Sequence, residues 1–335
     1  MSANGISDRA VRREPRSGFP RRICMSSFPT DRYGLVHRDA ALHAGFSDEQ
    51  LASAVERGDL VRVHPGVWVT SSGRPHGPDA AESLHRLRAL AVATSGPTRA
   101  HPLSHVSAAA VHGLSMLHPD LNVVHVTTGR PYGGSIRTQR HLHAAPLEPE
   151  EITEVDGVRV TSVERTAVDV ACMGTFAQAI VVFDAALRRG ADPDVLADTL
   201  SRRRRTSARN AKRALPLADG KAESVGESWS RAQIIDAGLP IPTLQREFII
   251  DGQRYRSDFD WDGLLIGEFD GLHKYGRLRR TDETATDVVV REKLREDRLR
   301  AEGLTVTRWT WATLERRQLV PLLRPQLEKL GLVAA

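Results

Sequence analysis

The sequence predicts an α+β protein, and three stretches of the chain carry that prediction. Residues 31–72 have the pattern of two short helices and a β-hairpin, and residues 80–215 mix helices with short strands in an α/β arrangement. Residues 222–335 run in the order helix, three strands, helix, strand, helix. Because helices and strands alternate throughout, the chain is neither all-α nor all-β, and its 335 residues suit two or three domains.

Composition and charge narrow the class of protein. The chain is 40% hydrophobic and 27% charged, which is typical of a soluble globular protein, and its formal net charge of +5 favours a nucleic-acid partner. Cys24 and Cys172 are too few and too far apart for a disulfide framework or a cysteine zinc site, so we expect a reducing, cytoplasmic location. No apolar run is long enough to cross a membrane.

The first thirty residues have the composition of a disordered basic arm. Residues 1–30 are rich in arginine, serine and proline, and they lack the apolar run that a secretory signal requires. Met25 is an alternative start for the chain, in which case most of the arm is not translated.

Residues 31–72 have the outline of a winged helix-turn-helix. Ser47 and Gln50 have the spacing of a capping box at the start of a helix, and Gly58 stands where a left-handed residue ends it. Two strands then flank a Pro65-Gly66 turn, which predicts the wing.

A helix that enters the major groove needs hydrogen-bond donors on its outer face. In this unit the candidate DNA-binding residues are Arg38, Gln50, Ser53, Arg57, Arg62 and His64. The same helix carries Asp48, Glu49 and Glu56, which phosphates would repel. The alternative is therefore a small domain that makes protein contacts.

The middle region contains a strongly basic stretch, "SRRRRTSARNAKRAL", which we predict to be helical. Arg203 and Arg204 are its candidate phosphate contacts, and the alternative is a solvated face or a linker.

Two other polar stretches of the middle region resemble catalytic motifs without requiring catalysis. In "SVERTAVD", a helix cap formed by Thr161 and Glu164 and an ion pair within the helix explain the charged residues. Ser104, His105 and His112 lack a visible partner acid or cysteine, so a hydrolase triad is not predicted.

The C-terminal region places Asp258, Asp260, Glu268 and Asp270 on two adjacent strands. A two-residue Asp262-Gly263 loop would turn Asp258 and Glu268 to opposite sides of the sheet. A three-residue loop, 261–263, would place all four acids and Arg256 on one side, with Asp258 diagonal to Glu268. We favour the longer loop, because it collects the apolar residues on the other side, namely Tyr255, Phe259, Trp261, Leu265 and Phe269.

Carboxylates that share one face of a sheet repel each other unless a cation lies between them. A hard divalent ion with oxygen ligands, Mg²⁺ or Mn²⁺, is the cofactor that this pattern predicts. The alternative is a surface in which Arg256 and Lys274 pair with the acids and no metal binds.

Four blocks of the C-terminal region, "ESVGES", "RSDFDW", "GEFDGLHKYGR" and "EKLREDRLRAEGLTVTRWTWATL", resemble in order the PD-(D/E)xK, or restriction-endonuclease-like, superfamily and its Vsr-like branch. The resemblance implies a metal-dependent DNA endonuclease in which Glu227 (or Glu223), Asp258 and Glu268 hold the metal.

One position departs from the family pattern, because Asp270 stands where the family has lysine. Lys274 or Lys293 are candidates to supply the missing cation, Asp270 is a candidate further metal ligand, and His273 is a candidate base. Without such a group the domain would bind DNA and metal and cut poorly.

The segment "GLVHRDAALHAGFSDEQLASAVERGDLVRVHPGVWV" resembles the N-terminal winged helix of AbiEi-family antitoxins, and "SHVSAAAVHGL" and "VTSVERTAVDVA" resemble the domain that follows it. This implies binding to promoter DNA and repression of a type IV toxin–antitoxin operon. The first hypothesis is thus a DNA endonuclease with its own docking domain. The alternative is a non-catalytic regulator that binds the operator of a cognate toxin gene, and a protein scaffold is a weaker third reading.

Overall fold

The computed structural model describes residues 27–95, 100–137, 139–203, 208–250, 252–271 and 303–334. It confirms the α+β class. Most of the predicted basic arm lies outside the described residues, as do the predicted site residues Arg204, His273, Lys274 and Lys293. Within the described chain, no helix is both long and apolar enough to cross a membrane.

The N-terminal unit contains two helices and a three-stranded antiparallel sheet. Its elements are β1 (Leu35–His37), α1 (Arg38–His43), α2 (Asp48–Glu56), β2 (Leu60–His64) and β3 (Val67–Thr70), and the strand order is β1-β3-β2. The predicted capping box is present, since Ser47 and Gln50 exchange hydrogen bonds in both directions. Gly58 and Gly66 have φ of +79° and +74°, which glycine adopts without strain.

Each face of this sheet packs on a different partner. The helices α1 and α2 cover one small core built from Val36, Ala41, Leu51, Ala54 and Leu60. The other face contributes to a core shared with α3 (Ala80–Thr94) and with strands of the middle region. The N-terminal unit is therefore fixed to the middle region by buried apolar contacts. Phe28 of the predicted arm packs on the small core under α1 and α2, with its ring centroid 4.6 Å from that of Phe46.

The middle region joins two small sheets to a group of helices. Its elements are α4 (His105–His112), β4 (Val124–Gly129), β5 (Ser135–Arg137), β6 (Arg140–Pro146), β7 (Ile152–Val155), β8 (Val158–Thr161), α5 (Val163–Met173), α6 (Phe176–Arg188), α7 (Pro193–Ser201) and α8 (Arg209–Ala214). One sheet has the order β4-β6-β5 with β4 and β6 parallel, and β7 pairs with β8. The predicted basic helix is two helices, because α7 ends at Ser201 and α8 begins at Arg209.

The described elements of the C-terminal region follow the predicted order, except that the predicted terminal helix is two helices. It contains α9 (Val225–Asp236), β9 (Thr243–Ile250), β10 (Gln253–Trp261), β11 (Leu265–Asp270), β12 (Thr305–Thr310), α10 (Trp311–Glu315) and α11 (Leu319–Lys329). The sheet order is β12-β11-β10-β9, and β12 is parallel to β11 whereas the other pairs are antiparallel. The predicted helix before β12 lies outside the described residues.

The middle and C-terminal regions share a core instead of meeting at a free linker. Ala232 of α9 belongs to the apolar cluster formed by α5, α6 and α8. Beside it, Arg231 donates to Asp184 at 2.8 Å, and both side chains are almost fully buried. Buried contacts therefore cross the predicted boundary at residues 215–222.

Candidate functional site

The hairpin between β10 and β11 differs from both predicted loops. Trp261 pairs with Leu265 and Phe259 pairs with Gly267, so the loop consists of Asp262, Gly263 and Leu264. Both loop assignments were wrong, because Leu264 belongs to the turn. The left-handed φ values of Asp262 (+53°) and Gly263 (+70°) reverse the chain before Leu264.

Continued by one residue beyond Phe259 and Gly267, this register sets Asp258 opposite Glu268 and not diagonal to it. Both side chains are half-buried. The backbone N–H of Phe269 donates to Asp258 Oδ2 at 2.9 Å, and Arg308 Nε donates to Glu268 Oε2 at 3.0 Å. The observed register therefore places both acids on one side of the sheet, as predicted, although the loop that joins the two strands is not the predicted one.

Asp260 has a structural role within the turn. It is 1% exposed and accepts hydrogen bonds from Arg246 Nη1 at 2.6 Å and from the N–H of Gly263 at 3.2 Å. A buried carboxylate needs such partners, because leaving it unpaired would cost several kcal/mol. Asp260 therefore holds the hairpin, while Asp270 lies half-buried at the end of β11.

The predicted apolar side of the hairpin is largely confirmed. Phe259, Trp261, Leu265 and Phe269 are all in the main C-terminal core. Tyr255 is the exception, since it packs in a separate small cluster with Ile266 and Leu304 among its members.

Glu227 is buried and satisfied by local donors. Its carboxylate accepts hydrogen bonds from the N–H of Glu223 at 2.8 Å, from Ser224 Oγ at 2.7 Å and from Gln245 Nε2 at 3.0 Å. Ser224 in turn caps α9 by accepting from the N–H of Glu227. The other candidate, Glu223, pairs with Arg256 at 2.8 Å. These contacts are those of a helix start, and the magnesium site stays a prediction.

The predicted DNA-binding residues of the N-terminal unit lie on α2, β2 and the start of α1. Two of them form ion pairs with acids of the same unit, Arg38 with Asp48 at 2.5 Å and Arg57 with Asp59 at 2.9 Å. Arg62 is exposed on β2.

The remaining three candidates of this unit are less available for contact with DNA, because each is either hydrogen-bonded or partly buried. Gln50 is exposed, but its side chain is engaged in the capping box. Ser53 and His64 are half-buried. Burial, reinforced by Arg140 and Arg62, lowers the pKa of His64, so this ring is neutral at pH 7.

Arg203 belongs to a buried charge network and not to an open basic face. Its guanidinium pairs with Asp169, which also accepts from Arg165 Nε at 3.0 Å. Arg165 continues the network to Glu151 at 2.6 Å. Burial raises the pKa of Asp169, and the two guanidiniums act against that shift. The ion pair predicted in "SVERTAVD" is thus present, although the helix cap is Ser162 and not Thr161.

A group of histidines beside this network has no counterpart in the predicted sites. His105, His125 and His143 have ligand atoms that all lie within 4.8 Å of one another, and we name them the histidine cluster. Among the described residues, no other group of three or more His, Cys, Asp or Glu side chains comes this close together. His125 Nδ1 lies 2.8 Å from His143 Nε2. The ring of His141 stacks on that of His143 at a centroid distance of 3.7 Å.

Strand pairing and one strained residue explain how the histidine cluster forms. The parallel register sets His125 opposite His141, so that His143, two residues on, projects from the same side of the sheet. His105 begins α4 with φ of +52°, a conformation that costs a bulky residue about 1–2 kcal/mol. The alternation of His141 and His143 places two histidines on one side of β6, but nothing in the sequence indicates that His105 and His125 join them.

Ser104 and Asp169 both approach His105, but they do not form a catalytic triad with it. Ser104 Oγ lies 2.9 Å and Asp169 Oδ2 lies 3.9 Å from the same atom, His105 Nδ1. A triad requires the nucleophile and the acid on opposite nitrogens of the imidazole. The expectation that His105 has no partner acid was wrong, whereas the rejection of a hydrolase triad agrees with the geometry.

Burial keeps the histidine cluster uncharged. It lowers the pKa of His125 to about 4 and that of His143 to about 2, and it holds that of His105 well below its usual range, with neighbouring histidines adding to each shift. Neutral imidazole is the form that offers a lone pair to a metal ion. A cavity of about 650 Å³ adjoins the cluster, and its lining includes His105, His143, Arg165 and Arg203.

Comparison with known proteins places this region in a family. Residues 103–217 match the family model of the AbiEi antitoxin C-terminal domain. Two proteins of Mycobacterium tuberculosis, from strains CDC 1551 / Oshkosh and ATCC 25618 / H37Rv, are each 33% identical to the chain over 237 residues, which cover 67% of this chain and 78% of the relative. Both carry names that describe them as uncharacterized. The chain belongs to one family with them.

The AbiEi domain contains α4 to α8 and both small sheets. The histidine cluster and the network around Asp169 therefore lie inside it, and the cavity is lined by residues of both. The acids of the β10–β11 hairpin and the N-terminal unit lie outside the matched residues.

Proposed function

We propose that this protein is a DNA-binding transcriptional regulator of the AbiEi antitoxin kind. The observation that carries the proposal is the AbiEi domain at residues 103–217, preceded by a unit of two helices and a β-hairpin. A regulator of this kind needs a module that reads DNA, and the N-terminal unit is the candidate for that role. The resemblance of both segments to antitoxins favours repression of a toxin–antitoxin operon over cleavage of DNA.

The exposed residues of α2 and the hairpin supply the chemistry for docking. Arg62 on β2 is available to phosphates, and Arg57 stands at the end of α2. The pair between Arg57 and Asp59 is exposed, and such pairs contribute about 0–1 kcal/mol to stability. Exchange of Asp59 for a phosphate therefore costs little. The pair of Arg38 and Asp48 is also exposed, so exchange of Asp48 for a phosphate costs little too.

The common core that joins the N-terminal unit to α3 and the middle strands gives the docking surface a fixed orientation. Binding of DNA by α2 would then place the AbiEi domain at a defined position on the operator. A flexible linker would not do this.

A salt titration of DNA binding tests the proposal. The full chain is titrated against a fluorescent duplex from the region upstream of its own gene, and affinity is measured at several salt concentrations. Each phosphate contact contributes about 0.9 to the slope of log affinity against log salt. We expect Arg57→Ala and Arg62→Ala each to reduce the slope by about 1.

Arg316→Ala is the matched control, because Arg316 is exposed at the end of α10 and is not part of α2 or the hairpin. The control variant should bind as the wild type does. Equal slopes for the wild type, Arg57→Ala and Arg62→Ala would exclude docking through α2 and the hairpin.

A second function is supported by the position of Asp258 and Glu268 on the same side of the adjacent strands β10 and β11, within a mixed sheet. With Asp270, these acids would hold Mg²⁺ or Mn²⁺ in a nuclease of the PD-(D/E)xK kind. The metal would supply an acidified water and charge stabilisation at the phosphate. The protein would contribute the fixed carboxylates, since the bond from the N–H of Phe269 holds Asp258 in place.

Plasmid nicking separates this function from regulation. We expect an active nuclease to nick supercoiled DNA with Mg²⁺ or Mn²⁺ and to lose this activity in Asp258→Asn. Asp262→Asn is the control, because Asp262 is exposed in the loop and asparagine tolerates its left-handed φ of +53°. Nicking that survives Asp258→Asn, or none by the wild type, would rule out the nuclease.

A further inference from the structure

The histidine cluster of the AbiEi domain joins three elements that are distant in the sequence. His105 comes from the start of α4, His125 from β4 and His143 from β6. The N–H of Ser104 donates to the carbonyl of His125 at 3.0 Å, which fixes the start of α4 against β4. The left-handed φ of His105 shows that the backbone accepts strain at the residue whose ring completes the group.

We propose that His105, His125 and His143 form a Zn²⁺ site. A tetrahedral zinc ion with bonds of about 2.0–2.1 Å holds its nitrogen ligands about 3.3 Å apart. The ligand atoms of the three rings already lie within 4.8 Å of one another, and those of His125 and His143 are 2.8 Å apart. The three rings are therefore close to the spacing that a zinc ion requires.

The ligand set selects the class of metal. Three neutral imidazoles suit zinc and other borderline transition metals, whereas Mg²⁺ and Ca²⁺ require oxygen ligands. Ser104 Oγ, 2.9 Å from His105 Nδ1, occupies that nitrogen of the ring, as an outer hydrogen-bond partner of a histidine ligand does, and Asp169 Oδ2 lies 3.9 Å from the same atom. This site is therefore distinct in place and in chemistry from the magnesium site predicted on the β10–β11 hairpin.

Three protein ligands leave one position of a tetrahedral zinc ion for an exogenous group. The adjoining cavity is lined by Arg165 and Arg203 in addition to the rings of the cluster. Water or a small anion fits that position, because the nearby guanidiniums favour negative charge. The site would tie α4, β4 and β6 together, so zinc should stabilise the AbiEi domain.

Metal titration of the full, untagged chain tests the proposal. After treatment with EDTA and dialysis, Zn²⁺ is added in a calorimeter, and Co²⁺ is added with its visible spectrum recorded. We expect one Zn²⁺ per chain, tetrahedral Co²⁺ bands and a higher Tm with zinc. His125→Ala and His143→Ala should each weaken Zn²⁺ binding at least about 100-fold, since even the loss of a residue that only hydrogen-bonds to a metal ligand costs about 10–100-fold.

His141→Gln is the matched control, because His141 stacks on His143 but lies outside the ligand set. This variant should keep its Zn²⁺ affinity within a few fold. Circular dichroism checks that each variant folds without metal, and if both alanine variants unfold, the Co²⁺ spectrum of the wild type decides. Octahedral Co²⁺ bands, no binding at one equivalent, or unchanged affinity in the folded alanine variants would overturn the site. None of these outcomes bears on DNA binding.

Discussion

The buried histidines predict that metal-free protein loses stability in mild acid. In the folded chain the pKa of His125 is lowered to about 4 and that of His143 to about 2, whereas an unfolded histidine titrates near 6.5. Below that value the unfolded chain binds more protons than the folded chain does. Stability is therefore fully present above pH 6.5 and falls as the pH falls towards the folded pKa values.

The magnitude follows from the unfolded state. From about pH 7.5 to about pH 5, protonation stabilises each unfolded histidine by about 2 kcal/mol, because one pKa unit corresponds to about 1.4 kcal/mol. The folded pKa values of both His125 and His143 lie below this window, so neither ring gains a proton before unfolding. The two histidines together should lower the free energy of unfolding by about 4 kcal/mol over this range.

Urea unfolding at the two pH values, in the presence of EDTA, measures this loss. The double variant His125→Gln/His143→Gln cannot titrate at these positions, so its loss should be smaller than that of the wild type by about 4 kcal/mol. His76→Gln, at an exposed position, is the control and should behave as the wild type. Equal pH dependence in the wild type and the double variant would refute the reasoning.

Two further variants test the packing. Asp184→Ala should destabilise the protein by about 3–5 kcal/mol in urea unfolding, because it leaves Arg231 buried without its carboxylate. The control Asp236→Ala removes the carboxylate of an exposed pair and should cost less than about 1 kcal/mol. Similar losses in the two variants would contradict a structural role for the buried pair. Gly226→Ala should destabilise by about 1–3 kcal/mol, since the new Cβ would lie 2.0 Å from the ring of Phe269. A Tm equal to that of the wild type would show that the ring can move aside.

Local signals in the sequence predicted the elements well. The capping box of Ser47 and Gln50 depends on residues three apart, and it is present as predicted. The Asp262-Gly263 turn is also local, but its flanking residue was misassigned. The Asp-Gly dipeptide indicates where the chain reverses. It does not indicate which flanking residue is excluded from strand pairing. The apolar side chain of Leu264 is typical of a strand residue. Leu264 nevertheless lies in the loop, because its N–H donates to the carbonyl of Trp261 at 2.9 Å within the turn.

The histidine cluster could not be predicted in the same way. Its rings meet only because β4 and β6 pair in parallel and α4 starts beside β4, and such non-local pairing leaves no spacing rule in the sequence. Arg203 shows the same limit, since its partner Asp169 lies 34 positions earlier in the chain. A run of arginines predicts a basic surface, and only the tertiary structure turns one of them inward.

Binding of the full chain to its own upstream DNA tests the central claim most directly. Fluorescence anisotropy compares that duplex with a scrambled duplex of equal length and composition at physiological salt. Specific sites typically bind about 10³-fold or more tightly than non-specific DNA. A regulator should show at least about that preference, together with a steep loss of affinity as salt rises. Equal affinity for both duplexes, or none for either at low salt, would contradict the account.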